Sequence, residues 1–171
     1  MEQGKLYVAG CALDGCTGHE TGLALLVQLY TRATGENLPP ICRTERGKPY
    51  FPDSPWYFSI THTRRHAFCA LSRRSVGIDA EELDRAINLH LAEKILSPGE
   101  KAQFDAAGDK RRALLTFWVL KEAAAKCSGE GLRGYPNQTA FSLTDPRVTE
   151  RDGCLVAVVT EDASEYDDKE R

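Results

Sequence analysis

No run of apolar residues in this chain approaches the length of a membrane span. The longest lie near Leu23–Leu29 and Leu155–Val159, far short of the ~20 residues a bilayer requires. No secretory leader is read at its start. Nor is there a C-x-x-C pair: Cys11, Cys16, Cys42, Cys69, Cys127 and Cys154 are scattered, and none takes metal-ligand spacing with the four histidines. These absences exclude an integral membrane helix, a disulfide scaffold and a structural zinc site, and they predict a cytoplasmic protein with reduced, mostly packed thiols. A strong charge imbalance is missing as well, since the formal net charge is −3, which argues against nucleic-acid binding. No internal repeat or low-complexity segment is visible.

What is present is enough for one compact domain. The 171 residues are 42% hydrophobic, long enough to bury a real core and too short for two large domains. Charge is unevenly placed: Arg43, Arg46, Lys48, Arg64, Arg65, Arg73 and Arg74 face only Glu45 and Asp53 within residues 41–74, so an anionic ligand or an acidic partner favours that segment. Lys5 to Cys11 reads as a strand, and Thr17-Gly18-His19-Glu20 supplies a capping box for a helix to about Ala33 whose apolar stripe is Leu23, Leu26, Val27 and Tyr30. Residues 35–55 are loop-like. Phe58–His62, Ala67–Ser72 and Val76–Glu81 read as strands, with Arg73-Arg74-Ser75 as a tight hairpin connection. A polar helix over Asp84–Leu96, a second started by Ser97-Pro98-Gly99-Glu100 and a third from Asp109 to Cys127 follow. The core face of the third is Leu114, Phe117, Leu120 and Ala124. Ala140–Leu143 and Cys154–Thr160 read as a closing pair of strands, and residues 161–171, with six acids, as a frayed tail.

Two short stretches carry chemistry. In Val76-Gly77-Ile78-Asp79-Ala80-Glu81, a strand puts Asp79 and Glu81 on one face and Val76, Ile78 and Ala80 on the other. In Trp118-Val119-Leu120-Lys121-Glu122-Ala123-Ala124-Ala125-Lys126, a helix puts Trp118, Glu122 and Lys126 on one i, i+4 stripe. Three carboxylates flanked by two lysines suit Mg²⁺ gripping a phosphate or pyrophosphate. Taken singly, each motif has a plainer explanation. Asp79 and Glu81 fit an edge strand that discourages aggregation. Glu122 with Lys126 fits a helix ion pair worth about 0.3–0.5 kcal/mol. Trp118 fits a rim aromatic, and His62 a hydrogen-bonded histidine at a strand end. His19, His66 and His90 read as surface or capping residues.

Together the residues resemble the 4′-phosphopantetheinyl transferase superfamily, in particular its monomeric type that activates carrier domains of peptide and polyketide synthases. Gly47-Lys48-Pro49-Tyr50-Phe51 is similar to the family's G-K-P-Y element. Phe58-Ser59-Ile60-Thr61-His62-Thr63 is similar to F-N-I-S-H-S, with threonines for serines. Val76–Glu81 is similar to V-G-I-D-I-E, and Trp118–Lys126 with Gly129-Glu130-Gly131-Leu132 to W-x-x-K-E-A-x-x-K-x-x-G-x-G-L. Four blocks in order are far more specific than one.

The resemblance implies an α+β pseudo-dimer of two small antiparallel sheet-plus-helix halves, residues 1–55 and 56–160, in one domain spanning 1–171. It implies holo-[acyl-carrier-protein] synthase activity: transfer of the 4′-phosphopantetheine arm of coenzyme A to a serine of an apo acyl or peptidyl carrier protein, with release of 3′,5′-ADP. Asp79, Glu81 and Glu122 are then the Mg²⁺ ligands, and Asp79, Glu122 and Lys126 the catalytic group, Glu122 being the candidate base. Arg46, Lys48, Pro49, Thr61, His62, Lys121 and Lys126 are the contacts to coenzyme A. The first half is shorter than in the typical monomeric member, and the expected protomer is a monomer that engages neither nucleic acid nor membrane. Two other readings stay open: a non-catalytic module binding coenzyme A or a carrier, and an unrelated Mg²⁺-dependent phosphoester hydrolase.

Overall fold

The computed structural model describes residues 5–131 and 140–161; Leu132 and the acidic tail beyond Glu161 lie outside them. Strands β1 (Leu6–Ala12), β4 (Tyr57–His62) and β5 (His66–Ser72) form one antiparallel sheet in the order β1-β5-β4, and β6 (Val76–Glu82), β7 (Val148–Arg151) and β8 (Cys154–Thr160) form another in the order β6-β8-β7. A two-residue ladder joins β2 (Cys42–Arg43) to β3 (Pro49–Tyr50). Helices α1 (Gly18–Thr34), α2 (Ala92–Ile95), α3 (Pro98–Ala106) and α4 (Lys110–Ser128) complete an α+β fold of three small antiparallel sheets and four helices among the described residues.

The apolar pattern explains the layering. From α1, Leu25, Leu26, Leu29 and Tyr30 pack on Phe58, Ala67, Cys69 and Leu71 of the first sheet. From α4, Leu114, Phe117, Leu120 and Ala123 pack on Leu155, Ala157 and Val159 of the second. The sheets meet through Phe68 and Ala70 against Val76, Ile78, Ala80 and Val156. The order is helix, sheet, sheet, helix, so β5 is buried on both faces, which is why it reads as a nearly unbroken apolar run. In chain order each layer has one strand, then helix (α1 in the first, α2 to α4 in the second), then two strands, the last of them in the middle of its sheet. The repeat is one of topology, invisible as sequence similarity.

The local signals for the long helices hold. Thr17 and Glu20 form a reciprocal capping box at α1, Ser97 and Glu100 do so at α3, and Asp109 caps α4, which ends at Gly129 in the left-handed region (φ 75°).

Several sequence expectations are corrected. β5 and β6 do not form a hairpin: the Arg73–Ser75 connection passes from one sheet to the other, because both edges of β5 are already paired, with β1 and with β4. Strands on either side of the 73–75 connection, rather than of residue 55, belong to different layers. The Asp84–Leu96 stretch is helical only from a 3-10 turn at Leu89–Leu91 through α2, the turn being capped by Asn88. The partners of β8 are β6 and β7, not Ala140–Leu143; in the latter segment the Phe141 N–H instead donates to Glu100 Oε1 at 3.0 Å. On α1, Val27 is exposed and Leu29 buried, since the helix packs through its Leu25–Leu29 edge.

Candidate active site

Strand β6 alternates as its sequence dictates, and α4 crosses the face opposite the inter-sheet core. Gly77 makes this approach possible: a Cβ there would stand 1.9 Å from the Ala123 carbonyl oxygen and 2.5 Å from the Cys127 nitrogen, contacts no side chain allows. Asp79 and Glu81 follow on the same face, under the Trp118–Glu122–Lys126 stripe. Asp79, 7% exposed, accepts from Lys126 Nζ at 2.8 Å and from Thr61 Oγ1 at 3.2 Å, and Lys126 Nζ also donates to the Ile78 carbonyl at 3.1 Å. Glu81 is paired with Arg85 and accepts from Trp118 Nε1 at 3.2 Å.

Burial pushes all three carboxyls, Asp79, Glu81 and Glu122, above their ordinary values. The Lys126 charge opposes this at Asp79, whereas the Asp79 charge adds to it at Glu122. The group is a cluster of like charges in a desolvated place, held by two cationic side chains.

Beside the cluster opens a cleft of about 600 Å³. Its lining includes the polar side chains of His19, Arg43, Arg46, Lys48, His62, Glu122 and Lys126 together with the apolar Leu23, Pro49, Phe58 and Ile60. His62 is seated against the first turn of α1, where a Cβ on Gly18 would come within 2.3 Å of its ring. Lys48 reaches across the mouth to donate to Ser75 Oγ at 2.7 Å and to the Cys127 carbonyl. It thereby places a cation at the C-terminus of α4, where the helix dipole favours one.

A family profile described as the 4′-phosphopantetheinyl transferase superfamily matches residues 75–163, the stretch that carries β6 and α4. The chain belongs to that superfamily. Among curated relatives, it is 36% identical over 92 residues to the 4′-phosphopantetheinyl transferase Sfp of Bacillus subtilis strain 168, covering 52% of this chain and 40% of that protein. It is 32% identical over 92 residues to the 4′-phosphopantetheinyl transferase gsp of Aneurinibacillus migulanus, covering 53% and 38%. A putative 4′-phosphopantetheinyl transferase of Haemophilus influenzae matches at 32% over 110 residues, 61% of this chain and 46% of that one. The matches thus span less than half the length of these relatives. No helix among the described residues is long and apolar enough to cross a membrane.

In this superfamily member the fold gathers Arg46, Lys48, Pro49, His62, Glu122 and Lys126 around one cleft. Thr61 is not at its wall; it is buried and spends its hydroxyl on Asp79. Lys121 is turned away altogether. Its side chain, 3% exposed, points to the other side of α4 and pairs with Glu100, itself fully buried, at 2.9 Å, because the residue before Glu122 on a helix is rotated by about 100° from it. Where the motif suggests a contact with coenzyme A, the structure places the Lys121 ammonium in a buried ion pair with Glu100. His19 and Arg43 line the cleft although sequence reasoning did not select them. The charge excess of residues 41–74 pointed to Arg43; nothing short of the fold brings the start of α1, with His19, to His62.

Among the described residues no three His, Cys, Asp or Glu side chains already form a ready metal-holding group. The donors Asp79, Glu81 and Glu122 nevertheless suit a hard dication in chemistry: acceptor-only oxygens whose mutual repulsion a cation relieves. Lys126 pairs with Asp79 and Arg85 with Glu81.

Proposed function

We propose that the protein transfers the 4′-phosphopantetheine arm of coenzyme A to a serine hydroxyl of an apo acyl or peptidyl carrier protein, with Mg²⁺ held by Asp79, Glu81 and Glu122. The observation that carries this reading is the adjacency of a buried carboxylate cluster and a cleft whose walls carry Arg43, Arg46, Lys48, His62 and Lys126, a pairing suited to a pyrophosphate whose bond is to be broken. The basic side chains and His62 bind and orient the phosphates. Lys126 keeps fixed positive charge beside the oxygens where charge develops. Glu122 takes the proton of the serine hydroxyl, directly or through water. The serine oxygen forms a bond to the phosphorus of the arm as the bond from that phosphorus to the bridging oxygen breaks, and 3′,5′-ADP leaves with that oxygen. Bound Mg²⁺ supplies charge neutralisation at the pyrophosphate.

The two layers read as a pseudo-dimer divided at residues 73–75. Aligned by strand register, Ala9 and Cys11 of β1 take the positions of Asp79 and Glu81 of β6. Only one of the two related clefts then has carboxylates, which supports a single site per chain.

The test is intact-protein mass spectrometry of apo acyl and peptidyl carrier proteins incubated with the protein, coenzyme A and Mg²⁺. A gain of roughly 340 Da, the mass of one phosphopantetheine, that EDTA abolishes is the expected result. Coenzyme A bound without any transfer would leave a non-catalytic binding module, and release of product from coenzyme A without a carrier would indicate a hydrolase.

A further inference from the structure

Glu82 lies next to the carboxylate cluster but points the other way, into the seam between the sheets on the side of Ile78 and Ala80. Its side chain is 5% exposed, and a carboxylate persists in such a place only if its lone pairs are filled. All the donors that fill them come from one turn, residues 63–66 between β4 and β5. Thr63 Oγ1 and the Arg65 N–H each donate to Oε1 at 2.8 Å. Arg65 Nη2 at 2.8 Å and Arg64 Nη2 at 3.4 Å reach Oε2. The turn is closed internally by Thr63 N–H to the His66 carbonyl at 2.8 Å and His66 N–H to Thr63 Oγ1 at 3.0 Å.

These contacts are the end of a series. Alternate hydroxyls of β4 and the residue after it meet β6 across the seam: Ser59 Oγ accepts from the Ile78 N–H at 3.1 Å, Thr61 Oγ1 donates to Asp79, and Thr63 Oγ1 donates to Glu82. The first two links are single neutral-donor bonds. Glu82 makes the one multidentate, charge-assisted contact, so it fixes the register more firmly than they do. His62 stands between Thr61 and Thr63, wedged on its other side by Gly18.

We infer that Glu82 is a positioning residue: by anchoring the 63–66 turn to β6 it sets where the His62 imidazole stands relative to Asp79 and Lys126. The inference rests on the proposed reading only in taking His62 to touch the anionic ligand. Glu82→Ala removes the anchor, Glu82→Gln restores an acceptor for Thr63 and Arg65 without the charge, and Thr63→Val cuts one strand of it should Glu82→Ala not fold.

Two readouts decide the matter. In ligand-free protein, with only four histidines, the His62 ring signals are assigned by NMR from a His62→Ala sample. They should move in Glu82→Ala and Thr63→Val, less in Glu82→Gln, while those of His90 stay fixed. By calorimetry, coenzyme A should bind about tenfold more weakly to Glu82→Ala, about 1.4 kcal/mol, with partial recovery in Glu82→Gln and no further loss when Glu82→Ala is added to His62→Ala. Unmoved His62 signals overturn the inference. So does an equal loss of affinity in the His62→Ala background, which indicates general damage, and so does a His62→Ala change without effect on binding. If the parent binds no coenzyme A, the proposed function fails and the ring signals still decide the role of Glu82.

Discussion

Lys121 offers the sharpest quantitative test, because its motif position suggests one role and its surroundings another. Its ammonium pairs with Glu100 at 2.9 Å, and neither side chain is more than 3% exposed. Glu100 also accepts the Ser97 N–H at 2.8 Å and the Phe141 N–H at 3.0 Å, so one carboxylate joins the start of α3, the segment after residue 139 and the middle of α4. Lys121→Met leaves that carboxylate without its cation, and breaking a buried pair costs about 3–5 kcal/mol. Glu100→Ala leaves the ammonium uncompensated and also orphans two N–H groups at about 1–3 kcal/mol each; it should cost more. Against a total stability of about 5–15 kcal/mol, either is a large fraction, and the expected fall in Tm is on the order of 10 °C or more. Urea unfolding with unchanged m-values measures it. The Lys121→Met/Glu100→Gln double variant should recover part of the loss, since no unpaired buried charge remains. At a temperature where Lys121→Met is folded, its affinity for coenzyme A should match the parent's. A loss under about 1 kcal/mol together with weakened coenzyme A binding would falsify the structural role and return Lys121 to the phosphates.

Two further outcomes follow from the site. Gly77→Ala puts a methyl group into backbone atoms of α4 rather than into a movable side chain, so the helix must shift; a destabilisation of about 1–3 kcal/mol and loss of transfer are expected, and parent-like activity would show that the α4–β6 spacing does not matter. Glu122→Gln should abolish transfer but fold well. The raised pKa of Glu122 means that the folded state prefers the protonated form, so its ionised carboxylate destabilises the fold as pH rises through the window between the ordinary and the raised value. In EDTA at neutral pH the variant should therefore melt no lower than the parent, its advantage fading as the pH falls through that window. A clear drop in Tm would show an unrecognised structural role.

The sequence by itself determined the local elements whose signals lie within one turn or one strand: the capping boxes at Thr17–Glu20 and Ser97–Glu100, the Asp109 cap and Gly129 stop of α4, and the alternation that puts Asp79 and Glu81 on one face of β6. It also offered the motif blocks from which the family could be read. It could not show that β5 and β6 part into different sheets, because a strand buried on both faces and a strand in a hairpin share the same apolar composition. It could not place Lys121, since a lysine one residue before a site glutamate is chemically indistinguishable from one that faces the site until Glu100 is brought to it from 21 residues away. Nor could it bring His19 to His62 or Glu82 to the 63–66 turn. Such groups meet only when two layers stack, and packing between distant segments is decided by the whole core rather than by any local run of residues.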